Sequence, residues 1–222
     1  MAFYKTVTYG AIDVCYLDEL DGGGARFGQD YLSFIPSHIG KVNRALEWCA
    51  GPAFIGFSLL AAGLCTELTL LDINPIATAA CRETVRNNGL GGLVRIYESD
   101  CMDALQQGDF YDLVVANPPH CGETTRSPGG HSQILYNDAE WRIHRKFYQQ
   151  VPEYLSDEGR VILQEDSELS SVDDFRAMIE DAGLELLGAL PCAWARDYYY
   201  VTSRLSDAYI ESRRSKREAS TP

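Results

Sequence analysis

The sequence predicts an α/β fold with a doubly wound, mostly parallel sheet of seven strands and helices on both faces. Short apolar runs of strand length alternate along the chain with stretches of helical apolar spacing. The run Leu113-Val114-Val115 is as continuously apolar as a buried parallel strand requires. Polar residues follow the ends of successive strands, and in such a sheet the strand ends share one edge, where ligands bind.

Composition limits the domain count and the partners. The 222 residues suit a single domain with a substantial core. The formal net charge of −13 disfavours a nucleic-acid partner, because phosphates are neutralised by clustered Lys and Arg. The basic cluster at residues 213–217 is more simply interpreted as part of a solvated terminus. We therefore expect a small-molecule substrate and consider nucleic acid unlikely.

The cysteines indicate the compartment. Seven cysteines are scattered along the chain without a Cys-x-x-Cys pair, which predicts a reducing, cytoplasmic setting and no metal site. The sequence shows no signal peptide and no long apolar span, so no membrane association is expected. The oligomeric state is left open.

Residues 1–36 precede the main alternation. Residues 7–9 and 12–17 predict a short hairpin or an irregular cover, and a helix-like run ends at Ile35, before Pro36. This segment is rich in aromatic residues, which either pack on the sheet edge or form a lid over a ligand. The candidates for the lid or for substrate contact are Tyr16, Phe27, Gln29 and Tyr31.

The stretch from Arg44 to Asp72 predicts a strand, a turn of small residues, a helix and a second strand that ends on an acid. This is the plan of a nucleoside-binding crevice, in which the acid accepts hydrogen bonds from the ribose hydroxyls. Only Gly51 and Gly56 stand near the positions that a dinucleotide fingerprint requires, so the turn alone is a weak signal.

The remaining elements follow in alternation. Helices are predicted at residues 54–62, 75–88, 102–105, 139–155 (cut near Gln150 by Pro152) and 172–182. Strands are predicted at residues 93–97, 112–116, 160–164, 184–190 and 198–205, the last two antiparallel. The polar loop at residues 121–138 is long enough to suggest a function. We expect a lid segment at 1–36, a catalytic domain at 37–205 and a flexible tail at 206–222.

The strand ends carry the main argument about function. Each of five successive predicted strands ends in polar groups, a pattern that packing in a hydrophobic core does not by itself require. In chain order these groups are Glu47, Asp72, Asp100, the box Asn117-Pro118-Pro119-His120, and Glu165 with Asp166.

These residues resemble the motifs of the class I S-adenosylmethionine-dependent methyltransferases over about residues 40–205. The turn Glu47-Trp-Cys-Ala-Gly51 stands at the family's glycine-rich turn, and Asn117-Pro118-Pro119-His120 is similar to the Asn-Pro-Pro-Tyr box of members that methylate amines and amides. Cys49 and Ala53 stand where the family has glycines, which suggests an unusual seat for the methionine part. His120 replaces an aromatic residue that stacks on the target, which weakens the case for a nucleobase or glutamine.

The resemblance implies S-adenosylmethionine as the cofactor and a Rossmann-like methyltransferase fold. It implies that Asp72 binds the ribose and that Asp100 accepts from the adenine amine. The methionine ammonium is expected to meet either Glu47 or a backbone carbonyl near Gly51. The residues expected to bind the cofactor are Glu47, Cys49, Gly51, Asp72, Ile73, Asp100, Cys101 and Asn117.

Catalysis is expected to rely on positioning. The Asn117 and Pro118 carbonyls can accept hydrogen bonds from an attacking amine and so direct its lone pair. His120 is either a base that works near neutral pH or an ordinary loop histidine. His144 is more simply interpreted as a packed residue of an amphipathic helix.

Several functions remain open. The best interpretation is N-methyl transfer to a small polar substrate, and a protein or nucleic-acid methyltransferase is disfavoured by charge. Some small members of this fold instead cyclise S-adenosylmethionine to azetidine-2-carboxylate and release methylthioadenosine, and this chain is similar to them in size and in its aromatic first segment. A cofactor-binding module without chemistry is the non-enzymatic alternative, and the intact Asn-Pro-Pro box argues against it.

Overall fold

Two sheets form the framework of the protein, which a computed structural model describes at residues 3–21, 23–120 and 137–219, with Arg26 and Phe27 described by their backbone only. A hairpin consists of β1 (Lys5–Tyr9) and β2 (Ile12–Tyr16). The central sheet contains β3 (Arg44–Trp48), β4 (Glu67–Asp72), β5 (Val94–Glu98), β6 (Tyr111–Ala116), β7 (Leu155–Asp166), β8 (Leu184–Pro191) and β9 (Tyr198–Leu205). Their spatial order is β5-β4-β3-β6-β7-β9-β8. Within this described sheet β9 alone runs opposite to the other six strands, which confirms the predicted fold class.

Helices cover both faces of the sheet. They are α1 (Gly24–His38), α2 (Phe54–Ala61), α3 (Pro75–Asn87), α4 (Arg142–Gln150), α5 (Val172–Asp181) and α6 (Asp207–Ala219). The first three pack on one face and the last three on the other, each set over its own apolar core. Among the described helices, none has the length and apolarity that crossing a membrane would require.

The structure corrects the predicted elements in a few places. Residues 102–105 form turns rather than a helix, since Ser99 Oγ caps this segment by accepting from Ala104 N at 3.1 Å. The helix α1 continues through Pro36, because Ile35 O still accepts from Ile39 N at 2.9 Å beyond it. The predicted cut near Gln150 is confirmed, and a 3₁₀ turn at Val151–Tyr154 follows it.

The C-terminal segment differs from the predicted flexible tail, because the structure forms α6 there. Arg213 anchors this helix to the end of the sheet by donating to Leu155 O at 2.9 Å and to Pro152 O at 3.2 Å. The same guanidinium lies over the Phe110 ring, 5.4 Å from its centroid. Pro152 and Leu155 lie about sixty positions from Arg213 and Phe110 about a hundred, which is why the local sequence does not suggest these contacts.

The N-terminal segment packs against the other elements. Cys15 N donates to Thr84 Oγ1 at 2.8 Å, so the hairpin lies on α3, while α1 lies on α2. Leu20, in the 3₁₀ turn Asp18–Leu20, reaches the cavity described below. Tyr9, Tyr31 and Phe34 are buried, which favours packing for these aromatic residues, and closure of residues 1–36 as a lid stays a prediction.

Gly28 is the close-contact point between α1 and α2, and it carries a stability prediction. A Cβ at this position would lie 2.7 Å from the backbone oxygen of Phe54, an atom that can move only with its helix. Gly28→Ala should therefore lower the free energy of unfolding by about 1–3 kcal/mol through overpacking, less the roughly 1 kcal/mol that alanine contributes within a helix. Urea denaturation followed by circular dichroism would measure the change.

Gly91→Ala is the matched control, since nothing lies within 4 Å of the Cβ that it would add. We expect its free energy of unfolding to stay within about 0.5 kcal/mol of the wild type. A Gly28→Ala protein as stable as this control would contradict the close contact between the two helices.

Candidate active site

A cavity of about 260 Å³ lies at the carboxyl ends of β3, β4, β5 and β6. Seven of the residues predicted to bind the cofactor line it together: Cys49, Gly51, Asp72, Ile73, Asp100, Cys101 and Asn117. Much of the remaining wall is apolar and includes Leu20, Trp48 and Ile143. The strand ends therefore meet at one rim, as a parallel sheet requires.

The turn after β3 is tightly wound. Cys49, Gly51 and Ala53 all have positive φ angles, of 50°, 52° and 62°. Two of the three residues carry a Cβ, and a left-handed backbone conformation costs about 1–3 kcal/mol for each non-glycine residue. The surrounding structure must therefore impose this conformation. Ala50 N donates to Leu71 O at 3.0 Å, which ties the turn to the end of β4. The turn is thus held firmly at the cavity wall, with the Cys49 side chain where the resemblance expects glycine.

Asp72 closes the same wall from the end of β4. Its Oδ2 accepts from Gly51 N at 2.6 Å and its Oδ1 accepts from Asn74 N at 2.8 Å. Burial raises the pKa of this carboxyl, and these backbone donors oppose the shift. Each oxygen has a second lone pair that a hydroxyl can use. Ile73, half exposed, follows it on the rim.

The segment Ser99-Asp100-Cys101 follows β5. Ser99 N donates to Asp72 O at 2.9 Å, which keeps the two strand ends in register. The Asp100 carboxylate pairs with Lys146 of α4, Oδ2 to Nζ, at 2.7 Å. Cys101 has a φ of 51°, a second strained residue with a thiol at the cavity.

Asn117 begins the box after β6. Its Nδ2 donates to Gln164 Oε1 at 3.0 Å, so Oδ1 is the amide atom that remains to accept a hydrogen bond. Tyr31 Oη donates to the neighbouring carbonyl, Ala116 O, at 2.7 Å, and this braces the end of the strand. Pro119 lines the cavity beside Asn117, whereas Pro118 is buried and does not.

His120 belongs to a buried chain of four ionisable side chains that also contains Glu165, His144 and Asp138. His120 Nδ1 lies 3.2 Å from Glu165 Oε2, and His144 Nε2 lies 3.0 Å from Glu165 Oε1. His144 Nδ1 lies 2.7 Å from Asp138 Oδ2. The two carboxylates outweigh burial and raise the pKa of His144 to about 9, and His144 in turn lowers the pKa of Glu165. We call these four side chains the His–acid chain.

The His–acid chain is not visible in the sequence. The sequence predicts Glu165 only as a strand end and His144 as a packed helix residue, and it assigns no role to Asp138. His144 is indeed fully buried, with its ring stacked on Phe175 at 4.9 Å, but both of its nitrogens face carboxylates. In the sequence His144 stands three residues from both Trp141 and Phe147, which is the spacing of an apolar helix face, and its carboxylate partners are not visible there.

Glu47 lies apart from the cavity wall. It is 3% exposed, and its Oε2 accepts from Gly56 N at 2.7 Å beneath the first turn of α2. Burial raises its pKa to about 8 despite these helix donors. A Cβ at Gly56 would lie 2.6 Å from the same oxygen, so the glycine is needed for this contact. Its expected contact with the ammonium stays a prediction.

The residues predicted for the lid are dispersed. Tyr31 is fully buried, and the Tyr16 ring meets the edge of Phe54 at 5.3 Å. Gln29 lines a separate groove beside β1 and α2. The Phe27 side chain and residues 121–136 of the predicted functional loop lie outside the described residues. Within the described part of the chain, no group of three His, Cys, Asp or Glu side chains is arranged to hold a metal ion.

The family described as methyltransferase small domain matches residues 29–179. A ribosomal RNA small subunit methyltransferase C of Vibrio vulnificus (strain CMCP6) is 30% identical over 132 residues, which are 60% of this chain and 33% of that protein. The Shewanella oneidensis protein of the same name is 33% identical over 88 residues, or 40% of this chain and 24% of that protein. This chain spans about a third or less of the length of these curated relatives.

Solved structures share the fold at low identity. The glycopeptide N-methyltransferase MtfA, in complex with S-adenosyl-L-methionine, has a TM-score of 0.61 at 16% identity and covers 82% of this chain and 94% of its own. The Bacillus subtilis M1A22 tRNA methyltransferase TrmK has a TM-score of 0.59 at 11% identity and covers 79% of this chain and 65% of its own.

These findings correct the predicted partner. The relatives are named as ribosomal RNA methyltransferases and one structural neighbour as a tRNA methyltransferase, which contradicts the expectation of a small-molecule substrate with nucleic acid unlikely. The net charge of −13 is a poor guide to the partner, because it sums over the whole chain and hides where the basic residues lie. Three of the nine residues of α4 beside the cavity are basic: Arg142, Arg145 and Lys146.

The donors present fit S-adenosylmethionine. Carboxylates at Asp72 and Asp100 suit hydroxyl and amine donors, and apolar side chains around them suit a nucleoside ring. The match over residues 29–179, on a seven-stranded sheet with a cavity at its strand ends, shows that this chain belongs to the methyltransferase small domain family.

Proposed function

We propose that this chain transfers a methyl group from S-adenosylmethionine to an amine nitrogen of a nucleobase in RNA, with small-subunit ribosomal RNA as the first candidate. The observation that carries the proposal is the orientation of Asn117. Gln164 fixes its amide through Nδ2, so Oδ1 is left to accept a hydrogen bond at the cavity. The names of the relatives support the choice of RNA.

The bound cofactor supplies an electrophilic methyl group: a nitrogen–carbon bond forms while the carbon–sulfur bond breaks, and its electron pair goes to sulfur. In our proposal Asp72 holds the ribose hydroxyls, and Asp100 with Cys101 meets the adenine edge. Asn117 Oδ1 accepts from one hydrogen of the amine and so directs the nitrogen lone pair at the methyl carbon. These side chains contribute orientation, and no covalent enzyme intermediate is required.

Phosphate contacts are proposed for α4. Arg142 and Arg145 are exposed, and Ile143 between them lines the cavity. Arg145 Nε donates to Glu140 O at 3.3 Å, a single neutral contact that leaves its other donors for phosphate. A short helix rich in Arg and Lys beside the cavity suits an RNA whose target nucleobase enters the cavity while its phosphate backbone stays outside.

The test is methyl transfer from labelled S-adenosylmethionine to separate acceptors: naked small-subunit ribosomal RNA, assembled small subunits, and ribosomal protein freed of RNA. We expect label in the RNA, in one or both RNA-containing samples, with one S-adenosylhomocysteine released per methyl group. Nucleoside digestion and mass spectrometry should place the methyl group on an exocyclic amine.

Other outcomes contradict this proposal. Label confined to protein would do so, as would methylthioadenosine formed from S-adenosylmethionine alone, which is the product of the cyclisation alternative. Label on a ring carbon or a ribose hydroxyl would retain RNA as the substrate and overturn the role of the Asn-Pro-Pro box in holding an amine.

A further inference from the structure

The His–acid chain is placed directly behind the proposed catalytic box. His120 follows Pro119, which lines the cavity, and the other three members extend from it into the interior. All four residues are at most 5% exposed. Ionisable groups are rarely buried in such a row without a role. Burial removes the favourable solvation of each group, and interactions with its partners must compensate for that loss.

The geometry determines where the protons are. Carboxylates only accept hydrogen bonds, so each imidazole nitrogen that faces one must carry a hydrogen. Both nitrogens of His144 face carboxylates, Asp138 at 2.7 Å and Glu165 at 3.0 Å, so His144 is held as an imidazolium. The raised pKa of His144, about 9, agrees with this assignment.

The carboxylate of Glu165 also fixes the proton of His120. Its Nδ1 faces Glu165 Oε2 at 3.2 Å, so in neutral His120 the hydrogen is on Nδ1 and the lone pair is on Nε2. The Tyr198 ring meets the imidazole edge-on at 5.3 Å and limits its rotation. A free histidine would exchange between the two tautomers, whereas this one is held in the form whose Nε2 can accept a proton.

The surroundings keep these charges within the chain. Trp48, Trp141 and Phe175 surround the His144 ring at 5.7, 5.4 and 4.9 Å. The titratable groups near Glu165 in the described residues are Tyr31, Tyr148, Tyr199 and Cys49, and burial raises the pKa of each, which leaves them uncharged at neutral pH. Asp138, His144 and Glu165 together carry one net negative charge beside His120.

We propose that Glu165, His144 and Asp138 are positioning residues that hold His120 as a base for the methyl-transfer reaction. The inference rests on the proposed function. As the amine nitrogen bonds to the methyl carbon and the sulfur takes the carbon–sulfur electron pair, the nitrogen loses one proton to His120 Nε2, which later releases it to water. The Glu165 carboxylate stabilises the positive charge that His120 gains, as a carboxylate does behind other catalytic histidines.

The first test needs neither cofactor nor RNA. Long-range nitrogen-15 NMR of the histidine-labelled protein, with His120→Gln and His144→Gln proteins for assignment, reports the proton on each ring nitrogen. We expect both His144 nitrogens to be protonated from neutral pH to near pH 9. We expect neutral His120 to be the Nδ1–H tautomer. A neutral His144 at pH 7, or His120 in the Nε2–H form, would overturn the proposal. These protons are observed on the wild-type protein, so the test stands even where a variant fails to fold.

The second test is Glu165→Gln, which keeps the shape but offers one acceptor to two imidazole N–H groups. We expect kcat to fall by about 10- to 100-fold, with the KM for cofactor and RNA within about threefold. Glu168→Gln, the same change at an exposed carboxylate just beyond the end of β7, is the control and should keep the wild-type kcat. If Glu165→Gln keeps the wild-type kcat per folded molecule, the His–acid chain has only a structural role and the proposal is overturned. If the wild type does not methylate RNA, the proposed function is wrong. The NMR experiment would still test the positions of the protons on His120 and His144, because it does not depend on RNA.

Discussion

Replacing Asn117 with alanine should lower kcat by about 100-fold or more and leave cofactor binding within about threefold of the wild type. The carbonyl Oδ1 is proposed to direct the amine lone pair, and loss of one preorganised group in other active sites costs about this much. The side chain makes its described hydrogen bond to Gln164, away from the turn that carries Gly51, so the cofactor wall should survive. Single-turnover kinetics and calorimetric titration would separate the two effects.

Asn117→Asp is the matched variant, because it retains an oxygen acceptor at the same place. We expect it to keep a measurable fraction of the wild-type kcat, well above that of Asn117→Ala. Equal rates for the alanine variant and the wild type would remove Asn117 from the proposed mechanism. A parallel loss of cofactor affinity in both variants would instead indicate that Asn117 supports the cofactor wall.

Replacing Asp72 with asparagine should weaken S-adenosylmethionine binding by roughly 10- to 1000-fold. Two ribose hydroxyls are expected to donate to this carboxylate, and hydrogen bonds to charged groups contribute about 1.5–3 kcal/mol each. Asparagine preserves the size but presents an NH₂ group to one of the two backbone donors, Gly51 N or Asn74 N. The affinities for S-adenosylmethionine and S-adenosylhomocysteine should fall together, because the ribose is common to both.

The control is Asp103→Asn, which removes an exposed carboxylate paired with Lys146 outside the cavity wall. Its affinity for the cofactor should stay within about threefold of the wild type. An Asp72→Asn protein with an unchanged dissociation constant would refute the ribose role. Thermal melts of both variants would verify that the turn at Gly51 remains folded.

Much of the fold followed from local patterns. The alternation of strands and helices, the antiparallel pair at the sheet edge and the break near Gln150 were predictable, because apolar periodicity and proline act over a few residues. The strand-end rule also brought seven predicted residues to one cavity, since parallel strands share an edge. Turns at 102–105 and the helix α6 were missed, because contacts distant in the chain decided them.

The substrate class shows the limit of composition. Net charge is a sum, and it conceals where the charges lie. Three basic residues of α4 stand beside the cavity in a chain whose net charge is −13. The name of the Vibrio vulnificus relative, rather than any bulk property, corrected the expectation.

The sequence alone determined the sheet, the rim of strand ends and the identity of the residues on it, because each depends on periodicity within one element. The tertiary structure decided what those residues do to one another. Glu47 is turned beneath α2, and Glu165 meets His120 and His144 across 45 and 21 positions of the chain. No local pattern encodes such distances, since packing of the helices on both faces brings the partners together. The protonation of His144 and the tautomer of His120 follow from that packing.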